Sequence, residues 1–213
     1  AAAFLKLAEK FPDSPQAPKA RYSMAHALLS AEKYMDSVKV FDDFLERYPK
    51  HPLADDAAYY RAISFNEDKQ YEKCRVLMDE YLANYPKGIH RSQAFYFKAY
   101  SLQQMGKYPA AIDELLSYLE KFPGEPNNNA ARQLLADALM NEGFMDDGIA
   151  ELKKIPPEDT DRYEQGILRK GQALKEMEEY NEYRDLMQNF LDKYPRSSRV
   201  GEAIANLGWY WNQ

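Results

Sequence analysis

The sequence predicts an all-α protein, a right-handed solenoid of antiparallel helix pairs with about five and a half repeats. Three observations support this fold class. A dipeptide of an aromatic or apolar residue and proline recurs along the chain, an alanine follows most copies at a fixed distance, and the apolar residues between copies have helical spacing. Self-similarity of this kind is the signature of repeat proteins. The dipeptides are Phe11-Pro12, Tyr48-Pro49, Tyr85-Pro86, Phe122-Pro123, Ile155-Pro156 and Tyr194-Pro195.

The interval between copies is nearly constant. The first three intervals are 37 residues each, and the next two are 33 and 39. A repeat array can continue as one body without a single central core, so a length of 213 residues does not require two domains. The alanines eight residues after five of the prolines are Ala20, Ala57, Ala94, Ala131 and Ala203.

The repeat pattern also predicts where each unit begins and ends. The chain opens with residues typical of the end of a second helix and closes with a first helix that lacks its partner, so we expect it to be part of a longer array. The apolar residues Ile204, Leu207 and Trp211 of that last helix are expected to lack cover. The predicted segments of this single domain are a preceding second helix at 1–15, repeats at 16–52, 53–89, 90–126, 127–160 and 161–198, and an unpaired first helix at 199–213.

The second helix of each pair carries one apolar stripe with a small residue at its start. Its members are spaced four, three and four residues apart, so they share one helix face that we expect to be buried. In the fourth unit the second helix is predicted to stop about a turn early, at Ile155-Pro156-Pro157, because proline cannot continue a helix. The stripes are Ser37, Phe41, Phe44 and Tyr48; Cys74, Met78, Tyr81 and Tyr85; Ala111, Leu115, Tyr118 and Phe122; and Tyr183, Met187, Phe190 and Tyr194.

The first helices carry a second set of small residues, separated by 37, 37, 37, 35 and 37 positions. We expect the backbones of paired helices to approach each other there, and we interpret Cys74 as a small packing residue on the opposing helix. The set comprises Ala25, Ala62, Ala99, Ala136, Gly171 and Gly208.

Composition excludes several classes of function. The net charge is −6 and basic residues alternate with acidic ones, so there is no basic footprint for nucleic acid or an anionic membrane. No apolar run approaches the roughly 18 residues that cross a bilayer, so no direct membrane insertion is expected. One cysteine excludes an intramolecular disulfide, and three scattered histidines do not form a metal site, so no cofactor is predicted.

No convergent set of catalytic residues is found, and the chain is therefore predicted not to be an enzyme. Adjacent acidic residues on a helix point in different directions, which argues against an acid/base pair. We expect the three acidic pairs to be solvated faces: Asp42-Asp43, Asp55-Asp56 and Asp146-Asp147.

The pattern of small residues, terminal proline and an aromatic at the turn (Tyr34, Tyr71, Tyr108, Phe144 and Tyr180) resembles the tetratricopeptide repeat. Linkers such as Phe11-Pro12-Asp13-Ser14-Pro15 are similar to those of bacterial envelope members, which include the periplasmic coordinator of the Tol-Pal system and the repeat lipoprotein of the outer-membrane barrel-assembly machine. Tyr183 departs from the family by placing a large side chain where the other repeats have a small one. The resemblance implies a non-catalytic adaptor that binds proteins.

The first helices carry a further stripe that is free for a partner if they line the concave side of the array. Its tyrosines at positions 22, 59 and 96 recur every 37 residues, and we call them the tyrosine ladder. These rings either bind a peptide or only pack, and the sequence leaves both alternatives open. The predicted partner-binding residues are Tyr22, His26, Tyr59, Ile63, Tyr96, Tyr100, Gln133 and Asp137, and the stripe continues through Leu168 and Gln172.

The leading hypothesis is a non-catalytic scaffold that binds a peptide or protein surface in its concave groove, at a periplasmic or outer-membrane-associated location in a bacterium. A cytoplasmic location stays open. Two alternatives remain at this point: a spacer or self-association segment that uses Ile204, Leu207 and Trp211, and a groove in which tyrosines stack on sugar rings.

Overall fold

The computed structural model describes residues 14–211, with side chains as far as Gly208. Between these limits the chain forms eleven α-helices and no strand, which confirms the all-α prediction. The helix predicted before Pro12 lies outside the described residues. The helices are α1 Ala17–Leu29, α2 Tyr34–Arg47, α3 Ala54–Glu67, α4 Tyr71–Asn84, α5 Arg91–Gln104, α6 Tyr108–Lys121, α7 Asn128–Asn141, α8 Met145–Leu152, α9 Thr160–Glu176, α10 Tyr180–Lys193 and α11 Val200–Trp211.

The chain divides into two compact units, an N-terminal unit Ala1–Glu114 and a C-terminal unit Leu115–Gln213. The boundary falls inside α6. In the N-terminal unit α1 to α4 each pack on the helix that follows, and the first helices also make contacts with each other, α1 with α3 and α3 with α5. In the C-terminal unit α7 packs on α8 and α9, α9 packs on α8 and α10, and α10 packs on α11. One continuous solenoid over 1–213 stays a prediction.

The five first helices from α1 to α9 all end in the same hydrogen-bonded turn. In α1 the Lys33 N–H donates to the Leu28 carbonyl over 2.9 Å, across a left-handed residue, Glu32, with φ 58°. This six-to-one bond is the Schellman motif, which satisfies a carbonyl that the helix itself leaves free. The left-handed position recurs at Lys69, Gly106, Gly143 and Glu178 at the ends of α3, α5, α7 and α9.

The second helices end where the recurring proline stops them. In α2 the Tyr48 N–H donates to the Phe44 carbonyl over 2.8 Å, and Pro49 has no N–H with which to continue the ladder. The exception is α8, which has 8 residues where α10 has 14. The predicted early stop of the fourth second helix is therefore confirmed.

The small residues mark where paired helices meet. Ala25 and Ser37 are wholly buried, and the Ser37 hydroxyl donates to the Ala25 carbonyl over 2.8 Å. In the fourth pair a Cβ added to Gly148 would lie 3.0 Å from the Ala136 carbonyl oxygen. Cys74 is also wholly buried, as expected of a packing residue, and burial raises the pKa of its thiol to about 11.

A glycine on α9 faces the large side chain of Tyr183 and the neighbouring Met187. Tyr183 is 1% exposed, and a Cβ added to Gly171 would lie 3.7 Å from its ring and 2.6 Å from the methyl carbon of Met187. The Tyr183 hydroxyl donates to the Asn206 carbonyl over 2.7 Å and so reaches α11. A methyl group at position 171 would thus come too close to the end of the Met187 side chain, whereas it would meet Tyr183 at ordinary van der Waals distance.

The last helix corrects two expectations. Leu207 is 8% exposed and belongs to the core of the C-terminal unit, because α10 packs against it, so it does not lack cover. Gly208 is exposed, and a Cβ there would meet no described atom within 4 Å, so it marks no close approach. Ile204 is 56% exposed as predicted, and the side chain of Trp211 lies outside the described ones.

Candidate functional site

The first-helix face of the N-terminal unit does not present a regular ladder of tyrosines. Tyr59 is 6% exposed and Ile63 is 9% exposed, so both serve the packing of α3 rather than an open surface. The Tyr59 ring is stacked on His90, with centroids 4.1 Å apart and an interplanar angle of 13°. Burial raises the pKa of Tyr59 far above its usual value. At this rung the packing alternative describes the structure.

Asp55 and Asp56 are hydrogen-bonded groups and not the solvated face that we expected. Asp56 accepts a hydrogen bond from the Tyr22 hydroxyl and contacts Nε2 of His90. Asp55 accepts from the Tyr81 hydroxyl and from the backbone N–H of residue 89 over 3.1 Å. The two carboxylates point to different partners, as predicted, and they tie α3 to α1, α4 and the start of α5.

His26 lies inside an aromatic cluster. Its ring centroid is 4.6 Å from that of Tyr22, 5.5 Å from Phe41 and 4.2 Å from Tyr60. Its Nε2 is buried and has no hydrogen-bond partner among the described residues. Burial lowers the pKa of His26 below 6.5, and the charge of His90 lowers it further. The neutral ring is therefore the form that the cluster favours.

Tyr96 and Tyr100 on α5 keep part of their surface open. They are half-buried, and their rings stack with centroids 6.5 Å apart at 23°. Tyr71 of α4 meets the edge of Tyr100 at 6.2 Å. Of the six predicted residues in this unit, these two have partly exposed rings outside the His26 cluster and the buried rung. Tyr22 is also partly exposed, but it belongs to the His26 cluster.

The C-terminal unit contains a groove on its first-helix face. It has a volume of about 260 Å³ and lies where α7, α9 and the start of α11 come together. The structure thus brings Gln133 and Asp137 to one cavity with Leu168 and Gln172, as the predicted stripe requires. We call it the α7–α9–α11 groove. Its lining residues are Gln133, Asp137, Gln165, Leu168, Arg169, Gln172, Arg199, Glu202 and Asn206.

Two charged residues of this groove, Asp137 and Arg169, pair with each other, and Arg199 pairs with a residue outside it. Asp137 accepts from Nε of Arg169 over 2.6 Å, and Arg199 donates to Asp161 over 2.7 Å. Burial raises the pKa of Asp137 although the Arg169 charge acts in the opposite direction. The side chain of Gln133 makes no hydrogen bond with any described residue, so its amide is available to a ligand.

Sequence reasoning missed the α11 side of the groove. Gln165 and Glu202 are 37 positions apart, and so are Arg169 and Asn206, so the same helix positions from successive repeats face the cavity. The 37-residue period could have predicted these residues, but the predicted stripe was not extended to their positions on α9 and α11.

The groove is suited to recognition by hydrogen bonds. Side-chain amides carry both a donor and an acceptor, as a peptide group does. Within residues 14–211 no cluster of three or more histidine, cysteine or acidic side chains is placed to hold a metal ion.

Comparison with known families decides the repeat type. Two profiles described as tetratricopeptide repeat match residues 97–162 and 165–197. Tetratricopeptide repeats are thus recognised over residues 97–162 and 165–197. The profile of the YfiO family, described as an outer membrane lipoprotein, matches residues 1–72, so this repeat protein resembles that family over its first third. The search of curated proteins gave no match.

Solved structures share the fold of this repeat protein. A tetratricopeptide repeat protein from Parabacteroides merdae aligns with a TM-score of 0.74 and 12% identity, over 92% of this chain and 74% of that one. YrrB, described as a TPR protein with an unusual peptide-binding site, aligns with a TM-score of 0.68 and 18% identity, over 95% and 98%. MamA from Desulfovibrio magneticus aligns with a TM-score of 0.59 and 20% identity, over 72% and 82%.

No helix within residues 14–211 combines the length and the apolar character that a membrane span requires.

Proposed function

We propose that this protein is a non-catalytic interaction scaffold that holds an extended peptide segment of a partner in the α7–α9–α11 groove. The observation that carries the proposal is the groove itself, a cavity of about 260 Å³ that is lined by polar side chains of three first helices. Leu168 provides an apolar floor, at 5% exposure, and Gln133 and Gln172 stand above it as hydrogen-bonding groups. A mostly formed cavity with a few convergent polar groups is the usual form of a binding site.

The polar groups favour a peptide over a charged small molecule. The Asp137 carboxylate and the Arg169 guanidinium neutralise each other, so the groove carries little charge to attract an ion. The free amide of Gln133 can pair with a backbone N–H and C=O of an extended chain. The description of YrrB as a peptide-binding protein of the same fold supports this choice.

A location in the bacterial envelope is part of the proposal. Its support is the match of residues 1–72 to an outer membrane lipoprotein family. A carbohydrate-binding groove has less support, because sugar stacking needs an open ring face and the central rung, Tyr59, is stacked on His90.

Self-association is a second candidate because Ile204 on α11 is 56% exposed. Light scattering of the chain and of an Ile204→Glu variant tests it. A concentration-dependent dimer that the variant abolishes would support this role, and a monomer at all concentrations would refute it.

Peptide display followed by titration tests the groove. Peptides selected on the folded chain are measured against Gln133→Ala and Gln172→Ala, with Gln188→Ala on the exposed side of α10 as the matched control. Each lost hydrogen bond is worth about 0.5–1.5 kcal/mol, so each groove variant should weaken binding roughly 2- to 10-fold. The control should bind as the parent does. Selection of no peptide, or of peptides insensitive to both groove variants, would refute the proposal.

A further inference from the structure

The second helix of the fourth pair lacks the aromatic residues that its counterparts bury. Its stripe runs through Gly148, Leu152 and Ile155, and its last two members are 6% and 1% exposed. At the position of Ile155 the other second helices have a phenylalanine or a tyrosine: Phe44, Tyr81, Tyr118 and Phe190. Because α8 also ends at Leu152, it fills less space beside α9 than a full-length second helix would.

The space that α8 leaves is a pocket. It has a volume of about 300 Å³ and lies within the C-terminal unit, between the end of α8, α9 and α10. Leu152, Ile167 and Leu186 provide aliphatic walls. The rings of Tyr163 and Tyr194 meet at 6.4 Å and 67° along another side. These walls can take up one large apolar side chain, since ligand pockets begin at about 300 Å³.

The rim of the pocket is basic. Lys153, Lys170 and Lys193 all line it, and no acidic residue does. Among the described residues neither Lys153 nor Lys170 forms an ion pair, although the chain as a whole carries a net charge of −6. We call this cavity the lysine pocket. A local basic rim on an acidic chain is complementary to an acidic partner.

The lysine pocket and the α7–α9–α11 groove use different faces of α9. The pocket takes Tyr163, Ile167 and Lys170, and the groove takes Gln165, Leu168 and Gln172. The two cavities can therefore be changed independently by mutation.

We propose that the lysine pocket docks an acidic peptide segment of a partner protein that inserts one aromatic side chain. The aromatic ring lies against Leu152, Ile167 and Leu186. Carboxylates on either side of it pair with Lys153 and Lys170. The space beside the end of the short helix α8 thus serves as a second docking position, separate from the groove.

The test uses three short blocked peptides on the full chain. The probe is Glu-Asp-Phe-Glu-Asp, the second peptide replaces its phenylalanine by alanine, and the third replaces its acidic residues by lysine. Binding is followed by chemical-shift perturbation at low and at high salt. We expect saturable binding of the probe alone, weakened by salt as surface charge pairing is.

Variants locate the binding. Lys153→Glu and Lys170→Glu should each weaken binding of the probe at least about 5-fold, because each replaces an attractive charge by a repulsive one. Lys50→Glu, an equal charge change at an exposed lysine of the N-terminal unit, should have no effect. Leu152→Phe enlarges a side chain in the wall of the pocket and should block binding of the probe, with helicity checked by circular dichroism.

Four results would overturn the proposal. The first is absence of saturable binding of the probe, and the second is equal binding of the alanine peptide. The third is a loss of probe affinity with Lys50→Glu equal to that with the pocket variants, and the fourth is a loss of probe affinity with Gln133→Ala. The last result would assign the probe to the groove. Failure of the groove peptides alone would leave the lysine pocket supported, so the two proposals fail separately.

Discussion

At the scale of single residues, Asp56 has a structural role that its sequence context does not reveal. Asp56→Ala leaves the Tyr22 hydroxyl and His90 without their partner, which should cost about 1–3 kcal/mol of stability. Asp146→Ala is the matched control, because Asp146 also lies in the first turn of a helix and is exposed. The Asp146→Ala variant should lose only about 0.3–1 kcal/mol of stability, which is the contribution of a carboxylate that interacts with the helix dipole. Urea denaturation measures both, and equal losses would contradict the role assigned to Asp56.

His26 predicts a dependence of stability on pH. Burial lowers its pKa in the folded state below 6.5, so the unfolded chain binds a proton more readily. The stability due to this ring is present above pH 6.5 and is lost as pH falls toward the folded value. His26→Phe removes the titrating group and keeps an aromatic ring, so its free energy of unfolding should fall less between about pH 7.5 and about pH 5. Parallel curves for parent and variant would rule out His26 as the source.

Two acidic pairs with different environments show that the local sequence around a residue does not reveal whether it is hydrogen-bonded. Asp55-Asp56 and Asp146-Asp147 look alike in sequence, yet the first pair is hydrogen-bonded and the second is exposed. Tyr22 and His90, the partners of Asp56, are each 34 positions away. No local pattern distinguishes the two pairs, because the difference lies in what the adjacent helices carry.

At the scale of helices, the turn after α3 is strained in a way that can be relieved. Lys69 has φ 59°, a left-handed conformation that costs a residue with a side chain roughly 1–2 kcal/mol. Lys69→Gly removes this cost but makes the unfolded chain more flexible by about 0.5–1 kcal/mol, so a net gain of about 0.5–1 kcal/mol is expected. Lys69→Ala keeps the strain and should bring no gain. Equal unfolding midpoints for the two variants would count against the prediction.

The helix boundaries were largely predictable and this strain was not. Ile155-Pro156-Pro157 predicted the early end of α8, and Gly106, with φ 70°, is the residue type that the turn after α5 favours. Glu32, Lys69 and Glu178 adopt the same left-handed conformation with no residue type to signal it. Their positions follow only from alignment of the repeats with Gly106 and Gly143.

At the scale of the whole molecule, the period predicted the packing better than the binding surface. The small residues and the aromatic stripes are internal to each repeat, and most lie where expected. Gln133 and Asp137 do reach a common groove, but half of that groove comes from α9 and α11 positions next to the predicted stripe. The ring of Tyr59 is not open to a partner, because His90, from the linker before α5, covers it.

The cores of the two units predict how damage spreads through the molecule. Phe41 belongs to a cluster with Ala25, Phe44, Ala54 and Ala57, whereas the cluster of the C-terminal unit begins at Ala136. Phe41→Ala should cost about 3–5 kcal/mol. Stability in repeat proteins is a sum of local terms, so amide protection should fall in α1 to α3 and persist in α9 and α10.

Phe144→Ala is the matched control for this experiment, because Phe144 is 54% exposed and the same truncation there removes little buried area. Hydrogen exchange with mass spectrometry resolves the helices in both variants. If Phe41→Ala lowers protection in all helices alike, the described chain unfolds as one cooperative body, and a sum of local terms does not describe its stability. If the loss stops within the N-terminal unit, the groove and the lysine pocket persist in the variant, because all their residues lie beyond Glu114, and peptide binding should persist with them.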